Sequence, residues 1–151
     1  MTDHDELPAP PAVAGIKLNG TRTYSISAAE NAALYRSTGV EPSPTGAAHP
    51  IYYYIATQVA MGMTVAELCA TCDFDVEDGP MMGSSAVRFS APLRTDASYT
   101  VTGEILSLVR KRSRKLGVMD VLTYRLCLRE LDGTLVLETD NVWVLPRKDL
   151  A

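Results

Sequence analysis

The sequence predicts an α+β fold in which one long apolar helix is wrapped by a curved antiparallel sheet. Three observations predict it. A helical apolar pattern runs from Ile51 to about Thr71. After Asp78-Gly-Pro80 the spacing changes to a period of two and keeps it to Leu145. At 151 residues, 46% of them hydrophobic, the chain suits one domain with a core of its own.

The elements follow in chain order. Residues 1–14 are acidic and contain Pro8, Pro10 and Pro11, so they read as a disordered leader ahead of a single domain over 15–151. Ser27-Ala-Ala-Glu30 is a capping-box pattern, which predicts a short helix through Tyr35 that stops at Gly39. Pro42, Pro44 and Gly46 make a loop of Glu41–Gly46. Pro50 suits the first turn of the next helix. Ile51, Ile55, Val59, Met63 and Ala66 then recur every three or four residues, and Leu68 and Cys69 extend the set. Tyr52, Tyr53, Met61 and Val65 lie elsewhere around the axis. A helix apolar nearly all round is usually buried. Gly62 within it points to close approach of another backbone. Ser84–Phe89 is a short strand. Tyr99, Val101, Gly103, Ile105 and Leu106 belong to a longer one. Arg110–Gly117 is a basic connection. Val118–Leu131 and Thr134–Leu145 are strands about an Asp132-Gly133 hairpin turn.

Composition narrows the function. A net charge of -4 argues against broad nucleic-acid binding, which leaves a basic footprint. Three cysteines, an odd number, do not read as a disulfide framework, and a reducing cytoplasm is the expected compartment. The residues from Met1 to Pro11 lack an apolar signal core. No run approaches a membrane span, so no membrane partner is expected.

One stretch is more specific: Val87-Arg-Phe-Ser-Ala-Pro-Leu93, followed by Tyr99-Thr-Val-Thr-Gly-Glu-Ile105. With Thr95-Asp96 at the turn between them, Asn31–Gly39 as a short helix, Ala48-His-Pro50 at the helix entry and Asp132-Gly133 near the end, the order resembles MaoC-like hot-dog proteins. These include the (R)-specific enoyl-thioester hydratases and the 3-hydroxyacyl-thioester dehydratases. The resemblance covers roughly residues 16 to 147. It implies a hot-dog fold and an enoyl or 3-hydroxyacyl thioester of coenzyme A or a carrier protein as substrate, with no further cofactor or metal. It also implies a homodimer, or a heterodimer with another hot-dog protein. The family's acid–base pair is an Asp and a His in a loop reading like G-D-x-N-P-[IL]-H. Here Val40 stands where the aspartate is expected, and no histidine follows Pro44. Several relatives are non-catalytic partners of an active hot-dog subunit, and this departure places the chain nearer to those. Hydratase or dehydratase activity, a binding subunit and a thioesterase all stay open.

The remaining residues offer these candidates. His49 lies at the helix N-terminus, where free N–H groups and the helix dipole can polarise a thioester carbonyl while the imidazole moves a proton. It can equally cap the helix. Glu41 is the nearest loop carboxylate and can orient His49 or act as base, or it is solvated. Tyr53, one of three successive tyrosines that cannot share one face, is a substrate-binding candidate, with core packing as the alternative. Gln58 is polar among apolar neighbours and either bonds backbone or faces a cleft. Glu67 also sits on the long helix, on which some hot-dog thioesterases use a carboxylate to activate water or attack the thioester. It lies near the helix's far end, where simple exposure explains it as well. Arg110, Lys111 and Arg112 begin a basic cluster that can dock coenzyme A phosphates or an acidic carrier protein, or form a solvated hairpin tip. Cys69-Ala-Thr-Cys72 reads as two small buried side chains rather than a metal site.

Overall fold

In the computed structural model, which describes residues 6–150, five antiparallel strands form one sheet that curls around two short helices. Strand β1 is Tyr24–Ser25 and helix α1 is Ala28–Ser37. Helices α2 (Tyr52–Ala60) and α3 (Val65–Thr71) follow, then β2 (Met81–Phe89), β3 (Ser98–Ser113), β4 (Gly117–Glu130) and β5 (Leu135–Pro146). The strand order is β1-β3-β4-β5-β2, so β2 forms one edge. The expected architecture of helix inside curved sheet is present. Register shifts at Met82/Ser84 and Ile105/Ser107 help the sheet bend.

The core is the concave face of that sheet. Alternate residues of β4 (Leu122, Tyr124, Leu126, Leu128) and β5 (Leu137, Trp143, Leu145) are enclosed beneath Tyr52, Ala56, Ala60, Leu68 and Cys69 of the helices. The outward residues between them mix charged and polar side chains (Thr123, Arg125, Glu138, Asp140) with Cys127, Val142 and Val144. Arg125, for example, pairs with Asp140 on that outer face.

Four expectations need correction. First, the helix expected over Ile51–Thr71 is two helices. The chain opens at Met61–Thr64, where the Gly62 N–H donates to the Leu18 carbonyl at 2.9 Å. A Cβ at Gly62 would overlap the Asn19 carbonyl oxygen, so only glycine admits this crossing chain. The Thr64 hydroxyl then caps α3 by accepting from the Glu67 N–H. Second, the helix is not enclosed all round. Val59 is 56% exposed and Ile51 39%, because the sheet covers one side only. Third, Arg110–Ser113 are strand residues rather than connection, paired with Gly117–Asp120. Fourth, β1, pairing Tyr24 and Ser25 with Tyr99 and Ser98, had no counterpart among the expected strands.

The stretch read as a leader lies partly outside the described residues. Its described part, 6–14, forms no helix or strand, yet Val13 is 4% exposed and the Pro8 carbonyl accepts from Arg110. Among the described residues no helix is long and apolar enough to cross a membrane.

Candidate functional site

The segment leading into α2 is fastened to the loop after β2. The Ala48 N–H donates to the Leu93 carbonyl at 2.8 Å, the Thr95 N–H donates to the Gly46 carbonyl at 2.9 Å, and Ala47 bridges Arg94. Between the two segments lies a groove of about 390 Å³. Ala47, Ala48 and Pro50 form one wall, and Phe89 to Leu93 form the other. Its lining is apolar except for Ser90 and carries no ionisable side chain. Such a shape accepts an apolar chain.

His49 stands beside this groove and is turned away from it. Its backbone N–H donates to Asn31 Oδ1 at 2.8 Å, and its ring packs on Tyr35 at a centroid distance of 4.8 Å. The imidazole Nδ1 accepts from the Ile51 N–H at 3.0 Å. The next two amides, of Tyr52 and Tyr53, donate to the carbonyls of His49 and Pro50. The first N–H groups of α2 are therefore already engaged, in a tight opening turn. The expected polarising helix tip is corrected on this point: His49 caps the helix, and the foremost donors are occupied.

Glu41 is not brought to His49. Its side chain is 83% exposed and meets Arg36 at 3.7 Å, because the proline-bearing loop carries it outward. Glu67 is exposed, and its amide belongs to the Thr64 cap. Among the described residues no group of three or more His, Cys, Asp or Glu side chains is placed to hold a metal. Cys69 and Cys72 are free buried thiols, and burial foremost pushes the Cys72 thiol up to about 12.

Tyr53 and Gln58 both reach polar partners on the sheet. The Tyr53 hydroxyl lies 2.8 Å from Ser85 Oγ, which donates to Asn141 Oδ1 at 2.7 Å. Its ring meets Phe89, one of the residues lining the groove, edge-on at 6.4 Å. Gln58 Nε2 donates to the Tyr124 hydroxyl at 2.7 Å, and burial raises the Tyr124 pKa. Sequence reasoning missed Ser85, Tyr124, Thr139 and Asn141. A signal was present: Thr139 and Asn141 occupy the inward phase of β5, alternating with Leu137, Trp143 and Leu145.

The basic cluster does not act as one unit. Arg110 is 6% exposed in its side chain and grips the enclosed Asp120 with two bonds of 2.8 and 2.9 Å. Arg147 reaches the same carboxylate at 3.2 Å. Arg110 is therefore corrected from phosphate dock to structural clamp. Lys111 and Arg112 are exposed near the β3–β4 hairpin tip. Arg112 is thirteen positions along β3 from Tyr99, whose hydroxyl accepts from the Arg94 N–H near the groove. At the usual rise that is about 40 Å along β3. Within one chain the cluster and the groove are at opposite ends.

No protein-family model and no curated protein matches this sequence. Solved structures do. One is the HadBC (3R-hydroxyacyl-ACP dehydratase) complex from Mycobacterium tuberculosis, with a TM-score of 0.69 and 13% identity over 89% of this chain and 98% of that one. Another is a MaoC-like dehydratase from Rhodospirillum rubrum, at 0.61 and 15% over 89% and 93%. A third is a thioesterase from Thermus thermophilus complexed with coenzyme A and zinc, at 0.55 and 11% over 87% and 79%. At these identities the likeness shows the hot-dog fold, and a MaoC-like protein is among the neighbours, as the resemblance in sequence implied.

Proposed function

We propose that this hot-dog chain binds acyl thioesters of the hydratase/dehydratase class and leaves the acid–base step to a second hot-dog chain paired with it. The observation that carries this reading is the engagement of His49 as a helix cap beside an apolar groove. Addition of water across an enoyl thioester needs a positioned acid and base within hydrogen-bond reach of the substrate. The groove lining supplies neither, and the nearest loop carboxylate faces solvent. An apolar groove still serves the acyl chain, and the ligand would be a coenzyme A or carrier-protein thioester with no further cofactor.

The pairing is supported by the surface the chain leaves open. Strand β2 is a sheet edge carrying exposed Met81, Met82 and Phe89, while Val59 of α2 and Ile51 just before it are exposed too. An unpaired edge with apolar side chains invites another strand. A second hot-dog protein presents a matching edge, and the HadBC neighbour is itself a complex. A cytoplasmic location remains our expectation.

The test is turnover of an enoyl-CoA by the purified chain alone, followed by loss of absorbance of the conjugated thioester. The proposal expects binding without hydration above the uncatalysed rate, and hydration on adding a hot-dog partner with an intact Asp/His pair. Turnover by the chain alone that falls at least about a hundredfold in His49→Ala would sink it, since a positioned acid–base group contributes on that order.

A further inference from the structure

Strand β5 points Leu137, Thr139, Asn141, Trp143 and Leu145 inward. Thr139 and Asn141 are 0% exposed, and so is Tyr124 directly across from Asn141 on β4. With Ser85 of β2 and Gln58 of α2, they form a polar layer inside an otherwise apolar core. Within it, Gln58 Oε1, Thr139 Oγ1 and Asn141 Nδ2 have no hydrogen-bond partner among the described residues. Protein interiors pair nearly all such atoms, so three in one layer call for a complementary group.

The chemistry of that group follows from what is left open. Gln58 Oε1 needs a donor, Asn141 Nδ2 needs an acceptor, and Thr139 can serve as either. Tyr124, having accepted from Gln58, still carries its own hydroxyl hydrogen. None of these side chains bears a charge in its ordinary state. The complement is a neutral group that both donates and accepts, which describes a hydroxyl. Tyr53 links the layer to the groove wall by contact: its ring meets Phe89, which lines the groove, and its hydroxyl lies 2.8 Å from Ser85. Ser85 lies four residues from Phe89 on β2, about 13 Å at the usual strand rise.

We propose that this layer is an inner extension of the groove, selecting acyl chains that carry a hydroxyl well beyond the thioester carbon, with Asn141 and Thr139 as the selecting side chains. The proposal rests on the acyl-thioester reading above. An enclosed water has the same hydrogen-bonding chemistry, and the experiment separates the two sources.

The experiment is calorimetric titration of the full chain with decanoyl-CoA and with ω-hydroxydecanoyl-CoA. The expected result is a preference for the hydroxylated thioester of about tenfold or more, the worth of one well-placed bond. Asn141→Leu and Thr139→Val should each reduce that preference and leave decanoyl-CoA binding in place. Thr139→Val changes shape least and serves if the other variant does not fold. Equal affinities in the native chain assign the layer to bound water and overturn the proposal. A preference unchanged in the variants places the hydroxyl elsewhere and also overturns it. If neither thioester binds, the acyl-binding reading itself fails, and this inference with it.

Discussion

The Nδ1 of His49 accepts from the Ile51 amide, and that bond sets what the side chain can do. A ring nitrogen holding a helix turn cannot also take a proton from substrate without releasing the turn. Cys72 raises a different matter at the same scale. Its thiol is fully enclosed, and burial, with lesser contributions from Cys69 and Asp120, lifts it from 9.0 to about 12. Because the folded value is raised, this contribution to stability is complete below about pH 9 and is lost as pH rises toward about 12. The slope reaches at most about 1.4 kcal/mol per unit. Urea denaturation at pH 8 and pH 10 checks the sign. The native chain should lose more stability between the two than Cys72→Ala does, and equal losses would contradict the assignment.

Helices α2 and α3 show how an element boundary is set. Gly62 admits the crossing chain at Leu18–Asn19, and Thr64 restarts the helix with a side-chain cap. Replacing Thr64 with alanine should cost about 1 kcal/mol, the usual worth of such a cap, measured as a lowered denaturant midpoint with unchanged m-value. No change would mean α3 holds its start by packing alone. Thr64-Val-Ala-Glu67 has the form of a capping box but was not among the expected helix starts, whereas Gly62 did signal close backbone approach. The unbroken apolar run concealed the interruption, because apolar periodicity reports which residues are buried and not whether the backbone continues. The hairpin and alternation in β2 to β5 were legible for the converse reason: strand periodicity and the Asp132-Gly133 turn are local. The extent of β3 was not, since Arg110 looks like a surface charge until Asp120 is placed opposite it. Of the candidate site, the departure from the family's Asp/His loop at Val40 was visible in the chain. The polar layer was not, since its members meet only after β2, β4 and β5 pair.

At the scale of the whole molecule, the buried charge network and the groove lie at opposite ends of the sheet. Asp120 lies between Arg110 and Arg147, and Arg110 in turn holds the Pro8 carbonyl, so this buried network fastens both the chain before Val13 and the turn after β5 to the sheet. Removing one partner of such a network leaves an uncompensated charge, which is why the arginine is not free for ligand. The opposite end of the sheet carries the groove, and the β2 edge carries the open apolar surface. The most direct measurement is therefore the mapping of amide chemical shifts as an acyl-CoA is added to the isotope-labelled chain. The account predicts changes concentrated at Ala47–Pro50 and Phe89–Leu93. Changes confined to the hairpin tip around Lys111–Lys115, or none at saturating thioester, would contradict it.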